Sequence, residues 1–186
     1  MDGKEYRQQM IKELSITLTG LDDGQVEQAV DHILQAKRIF FAGAGRAGLM
    51  MKGFAMRLMH MGFLCHVAGD ATTPSIQRGD LLIVASGKAE TVTSSYFVDV
   101  AKEARARTLV ITANPQGTVA RKADSLLVLT APKFRGDPDP DRFSVQPMGN
   151  RFEQSALLAA DYIVKLIKEK IKLDIQVMYK NHSTLE

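Results

Sequence analysis

The sequence predicts an α/β protein, a three-layer αβα sandwich on a five-stranded parallel sheet, and three observations predict it. Five apolar runs of strand length, Ile39 to Ala42, Leu64 to Val67, Leu81 to Ala85, Leu109 to Thr112 and Leu126 to Thr130, alternate with segments of helical spacing. That is the pattern of strands covered on both faces by crossover helices. Two of the runs end in small residues that lead into a helix, Phe41-Ala42-Gly43-Ala44-Gly45-Arg46-Ala47-Gly48 and Val84-Ala85-Ser86-Gly87-Lys88-Ala89-Glu90-Thr91. The 186 residues, 45% apolar and 24% charged, suffice for one sizeable core, and no composition break or repeat marks a second domain.

In chain order, Tyr6, Met10, Leu14 and Leu18 recur every four residues, which is helical periodicity. It resumes with Val26, Ala29, Val30, Ile33 and Leu34, and Asp22 with Gln25 resembles a capping box at the start of that second helix. Residues 1–37 are therefore expected to be a helical extension, residues 38–172 the αβα core, and residues 173–186 a closing segment open to a further helix in subunit contacts. Residues 131–149 carry Pro132, Gly136, Pro138, Pro140, Pro147 and Gly149 without periodicity and read as a mobile or ligand-covering loop. A long helix from about Asn150 to Lys172 follows, with Phe152, Leu157, Ala160, Ile163, Val164 and Ile167 on its apolar side.

Composition narrows the function. A formal charge of +3 with scattered basic residues lacks the basic stripe of a nucleic-acid binder and fits an acidic small molecule better. Cys65 is the single cysteine, in an apolar stretch, and is expected to be a buried, inert thiol in a reducing compartment. With no basic-then-apolar leader and no apolar run near eighteen residues, the expectation is a soluble, cytoplasmic protein with no membrane partner. Cys65 and His66 alternate across a strand, no second ligand stands at metal spacing from His60, and no bound metal is expected. The methionines at 50, 51, 56, 59 and 61 read as core and interface filler.

The glycine turns carry the chemistry. A turn that lets backbone approach closely, followed by a helix whose free amides and positive dipole end face the same spot, is a cradle for a phosphate. Gly43, Gly45 and Gly48 also satisfy G-x-G-x-x-G, with Asp70 22 residues on, so a dinucleotide site is the rival reading. Against it stand the short chain, the two preceding helices and the place of Asp70 beyond the strand end. The second turn lacks the earlier glycine and the Ser or Thr of a Walker loop, which argues against nucleotide hydrolysis.

Several blocks together point to a family: Ala42-Gly43-Ala44-Gly45-Arg46, Phe54-Ala55-Met56-Arg57-Leu58-Met59-His60-Met61-Gly62-Phe63, Thr72-Thr73-Pro74, Gly79-Asp80-Leu81-Leu82, Gln146-Pro147-Met148-Gly149 with Phe152-Glu153-Gln154, and the ending around His182. In order and spacing they resemble the 6-phospho-3-hexuloisomerases of the sugar isomerase (SIS) family. The resemblance implies a single SIS domain with flavodoxin-like strand order and a homotetramer. It implies interconversion of 3-hexulose 6-phosphate and fructose 6-phosphate through a cis-enediolate, without metal or organic cofactor, in the ribulose monophosphate route of formaldehyde fixation or in pentose supply. It assigns Glu153 as the catalytic base; the alternative is a first-turn acid favoured by the helix dipole.

His60 matches a family active-site histidine, suited to polarising the carbonyl or relaying a proton. About thirteen residues into its helix, it lies roughly 20 Å from its own phosphate turn at 1.5 Å per residue, so it can serve only a neighbour's site; the alternative is a hydrogen-bonded interface histidine. The resemblance puts Gly45, Arg46 and Ala47 of the first turn, and Ser86, Lys88 and Thr91 of the second, at the sugar phosphate. Arg46 and Arg57 are open to pairing with phosphate or with acids across an interface. The chain also departs from the family. Ala47 stands for a serine, Lys88-Ala89 for Ser-Gly, and Asn150 for a small hydroxyl residue. Lys88 can compensate with its charge, whereas Ala89 is expected to be strained where glycine is usual. A non-catalytic sugar-phosphate binder, or an isomerase of a related ketose phosphate, is therefore the competing function.

Overall fold

The computed structural model describes residues 1–132 and 144–185. Helices α1 (Gly3–Thr19) and α2 (Asp23–Gln35) precede strand β1 (Ile39–Gly43). Then come α3 (Gly45–His60), β2 (Cys65–Val67), β3 (Leu81–Ala85), α4 (Val92–Glu103), β4 (Arg107–Thr112), α5 (Thr118–Lys122) and β5 (Ser125–Val128). The described chain closes with α6 (Asn150–Lys170) and α7 (Ile175–Lys180). Residues 133–143 of the expected loop lie outside the described residues.

The five strands form one parallel sheet in the order β2-β1-β3-β4-β5. Alternation along each strand sends successive side chains to opposite faces. Ile39, Phe41, Leu81, Ile83, Leu109, Ile111 and Leu127 pack with Ile33 of α2, Phe54 and Leu58 of α3 and Ile163 and Ile167 of α6. Phe40, Ala42, Leu82, Val84 and Val110 pack with Val98 and Ala101 of α4 and Val119 of α5. The three layers follow. The chain runs from β1 outward to β2, then returns to β3 on the other side of β1. The crevice between the carboxyl ends of β1 and β3 is thus the topological switch point, where open α/β sheets take ligands.

Two local expectations change. Asp22 accepts from the Gln25 amide at 2.8 Å, but the Gln25 side chain instead accepts from the Val128 amide at 2.8 Å, tying α2 to the edge strand β5. The complete capping box lies at Asp2 and Glu5 of α1. On α1 the fully buried side chains are Glu13 and Thr17, while Tyr6, Met10, Leu14 and Leu18 are half-buried. The period is helical, yet the helix buries polar groups. Cys65 is half-buried and burial pushes its thiol up to about 12, as an inert cysteine requires.

Among the described residues no helix is long and apolar enough to cross a membrane. Among the same residues no three His, Cys, Asp or Glu side chains gather as metal ligands.

Candidate active site

Both glycine turns open into one cleft of about 430 Å³ at the switch point. The first turn contributes Ala44, Gly45, Arg46 and Ala47, the second Ala85, Ser86, Gly87, Lys88 and Thr91, and the closing segment Pro132, Met148, Gly149, Phe152 and Glu153. All six expected substrate-binding residues and Glu153 therefore share one wall or another of the same cleft. Arg57 is exposed on α3 and does not line it.

The first turn is shaped by close approach. Gly45 has φ +56°, a left-handed conformation that favours glycine. A Cβ on Gly48 would fall 2.4 Å from the Gly43 carbonyl oxygen, so α3 packs on β1 only because the third glycine of the motif has no side chain. The motif thus serves helix-to-strand contact here. Asp70, the acid a dinucleotide site would need, is half-exposed or more beyond β2 and lies 3.5 Å from Lys52.

In the second turn, Ala89 adopts φ +53°, the strain expected where the family has glycine, at a cost of about 1–2 kcal/mol. Its neighbours hold it there. The Ala89 amide donates to Ser86 O at 3.0 Å and its carbonyl accepts from Val119 N at 2.8 Å. Its methyl also abuts Gly117, where an added Cβ would come within 2.6 Å. Glu90 turns away from the cleft: its carboxylate accepts from Thr118 N at 2.9 Å and Thr118 Oγ1 at 2.8 Å, and these bonds hold its pKa below the ordinary value.

The helix starts supply the electrostatics. α1, α2 and α7 are capped by Asp2, Asp22 and Asp174, and the first amide of α5 is taken by Glu90. α3, α4 and α6, whose first turns border the cleft, have no side-chain cap. Thr91, at the N-cap of α4, turns its hydroxyl to Ser86 Oγ at 3.2 Å instead. Three positive dipole ends without side-chain caps therefore meet at one crevice, a setting that stabilises an anion.

Glu153 stands in the first turn of α6, and its carboxylate accepts from Arg46 at 2.8 Å. Arg46 thus pairs with an acid of its own chain, and Asn150 Oδ1 also accepts from it, which gives the Asn150 departure a role. The two charged side chains are 42% and 20% exposed, so the pair contributes only about 0.2–1 kcal/mol and acts mainly to orient the carboxylate. Phe152 covers Gly87, where a Cβ would fall 3.1 Å from its ring, and so fixes α6 against the second turn.

His60 lies elsewhere. It ends α3, is 2% exposed, stacks on the His182 ring at 5.0 Å, and its carbonyl accepts from Asn181 Nδ2 at 3.1 Å. The helix between it and Gly45 spans roughly 22 Å at 1.5 Å per residue, so within one chain it does not reach the cleft.

Residues that the sequence reading passed over support the cleft from behind. Glu13 of α1 accepts from Ser144 Oγ at 2.5 Å, Val145 N at 2.9 Å and Gln146 Nε2 at 3.2 Å. Burial pushes the Glu13 carboxyl up, but these three bonds and the Arg151 charge outweigh it and hold the group below its ordinary value. Thr17, one turn on, donates to Thr130 O at 2.8 Å and accepts from Arg151 Nε at 3.0 Å.

Comparison with known proteins agrees with this geometry. The SIS domain model matches residues 32–134. The chain is 38% identical to a Bacillus subtilis protein named 3-hexulose-6-phosphate isomerase, across 100% of both chains. It is 36% identical to a Mycobacterium gastri protein of the same name, covering 94% of this chain and 86% of that one. A Methanococcus jannaschii structure, described as inferring a 3-hexulose-6-phosphate isomerase function, superimposes with TM-score 0.81 at 30% identity over 100% of both chains. Vibrio vulnificus NanR complexed with ManNAc-6P shares the fold, with TM-score 0.78 at 18% identity over 95% of this chain and 66% of that one. A switch-point cleft bordered by two glycine turns, a matched domain over more than half the residues and full-length relatives all lead to one assignment: the chain belongs to the SIS domain family.

Proposed function

We propose that this protein is a sugar-phosphate isomerase that interconverts 3-hexulose 6-phosphate and fructose 6-phosphate. The observation that carries the reading is the Glu153 carboxylate on the wall of a cleft where three uncapped helix starts converge. A carboxylate is a proton acceptor, and the converging amides are an anion cradle; isomerisation of a phosphorylated ketose needs one of each. The first-turn amides of Gly45, Arg46 and Ala47, with Ser86, Lys88 and Thr91, hold the phosphate. Glu153 takes the proton from the carbon beside the ketone, leaving a cis-enediolate, and returns it to the former carbonyl carbon while a hydroxyl proton passes between the two oxygens. Neither a metal nor an organic cofactor is invoked in these steps.

In this reading His60, enclosed beside His182 within one chain, serves a neighbouring subunit's site in the homotetramer that the resemblance implies. Leu49, Met56 and Met59 of α3 are 61%, 43% and 39% exposed, an apolar strip on the His60 helix that supports burial against another copy. The setting is cytoplasmic, in the ribulose monophosphate pathway. A non-catalytic sugar-phosphate binder is the second reading, favoured by Ala47 and by the strained Ala89 in the phosphate turns.

A coupled assay with 3-hexulose 6-phosphate separates the two. Formation of fructose 6-phosphate is the expected result, and tight binding without turnover establishes the binder. For Lys88→Ala, loss of a charge-assisted contact predicts binding of fructose 6-phosphate weakened by about 10- to 100-fold, measured by calorimetry. Unchanged affinity would remove Lys88 from the phosphate site.

A further inference from the structure

Helix α1 sets Leu18 against the core, but the side chains it buries completely are polar. Its fully buried side chains are Glu13, 2% exposed, and Thr17, fully enclosed. A helix present only to shield the core would bury an apolar stripe. What these two groups hold is the chain that delivers the carboxylate to the cleft. Glu13 receives three donors from residues 144–146, and Thr17 receives Arg151 Nε at 3.0 Å. Arg151 lies two residues before Glu153 on the same first turn of α6, and it is itself 4% exposed. Between Gln146 and that turn stand Met148, with φ +58°, and Gly149, the uncapped start of the helix. No side-chain cap fixes the entry angle of α6, so beside the packing of Phe152 on Gly87 it is the ties from α1 that hold the chain leading into it.

We infer that Glu13 is a positioning residue for the Glu153 carboxylate, acting through Ser144, Val145 and Gln146 on the entry to α6, with Thr17 and Arg151 as a second tie. The inference rests on the isomerase reading above. The phosphate turns follow β1 and β3, whereas the hydrogen bonds of the Glu13 carboxylate run to residues 144–146. Loosening the brace therefore leaves sugar-phosphate binding in place and misaligns the base, and small misplacements of a reacting group cost large factors in rate. Binding and turnover should separate.

The test uses the full-length chain with Glu13→Gln, which keeps shape and one acceptor for Val145 N but turns an amide toward Ser144 and Gln146. Isomerisation of fructose 6-phosphate is followed by kcat and KM, with thermal melting to establish that each variant is folded at the assay temperature. The expected result is a kcat lowered at least tenfold with KM within about threefold of the wild type. Ser144→Ala, which cuts one tie without touching α1, should lower kcat by about threefold, and the double variant should be no slower than Glu13→Gln alone. A folded Glu13→Gln protein with unchanged kcat, or a KM that rises while kcat holds, overturns the inference. If Glu13→Gln does not fold, Ser144→Ala decides by the same criterion. Turnover absent in the wild type overturns the isomerase reading and this inference with it, whereas turnover present and unchanged in the variants overturns the role of Glu13 alone.

Discussion

Glu153→Gln is expected to leave fructose 6-phosphate bound within about threefold of the wild type and to lower isomerisation by about 10²–10⁴-fold, the range a positioned general base supplies. The amide keeps the shape of the carboxylate and can still accept from Arg46, so the ion pair seen at 2.8 Å is replaced by a hydrogen bond and the cleft is not refilled. What disappears is the group able to take a proton from carbon. Because the pair is partly exposed, its loss alone costs little stability, and a large rate effect in a protein with an unchanged melt reads as chemistry. Calorimetry for binding and a coupled assay for turnover make the check. A variant that retains wild-type turnover would show that the first-turn acid serves the helix dipole, as the simpler sequence reading allowed.

The second large effect is structural. Gly48→Ala should destabilise the protein by about 3 kcal/mol, because the new methyl would stand 2.4 Å from the Gly43 carbonyl oxygen, a backbone atom with no rotamer to change. Gly43 faces the same limit from the other side, where a Cβ would fall 2.9 Å from Gly48 N. The strain can be relieved only by moving α3 off β1. That opens the turn at the phosphate cradle, so affinity for sugar phosphate should fall together with stability. Gly53→Ala is the control: it lies in the same helix, its Cβ would meet Leu157 at an ordinary 3.6 Å, and helix propensity favours alanine by about 0.5–1 kcal/mol. Urea unfolding of both variants tests the pair, and equal midpoints would mean that the helix accommodates the methyl.

The sheet was legible because parallel strands covered on both faces are continuous apolar runs; Leu81–Ala85 is buried at every position. The two turns were legible because glycines between an apolar strand and a helical segment mark a turn where the backbone comes close or takes a positive φ. The G-x-G-x-x-G pattern, by contrast, could not name its ligand, since Gly48 is required by packing against Gly43 whatever the cleft holds. Placing His60 away from its own cleft needed only the rise of a helix. The strain at Ala89 followed from comparison with a family glycine, and its support by Gly117 did not, since nothing local links residues 28 apart.

The interior polar network was the part hidden from sequence. Glu13 and its partners Ser144 and Gln146 are separated by 131 and 133 residues, and Arg46 and Glu153 by 107. In a periodicity count a glutamate and a threonine on a helix score as solvent-facing positions, so a face that buries them looks like an ordinary amphipathic exterior. A resemblance to known isomerases identifies Glu153 without indicating what steers it. The half-used capping box at Asp22 shows the same rule on a smaller scale: the local donor was as expected, but Gln25 found a better use on the sheet edge.

The central claim is that a carboxylate at the start of α6 moves a proton on a sugar phosphate anchored at the switch point. Incubating the wild-type protein with fructose 6-phosphate in deuterated water and following the carbon-bound protons by NMR tests it most directly. Deuterium should enter at the carbon beside the ketone in the wild type and not in Glu153→Gln. Saturating binding with no exchange in the wild type, or equal exchange in both proteins, would contradict it.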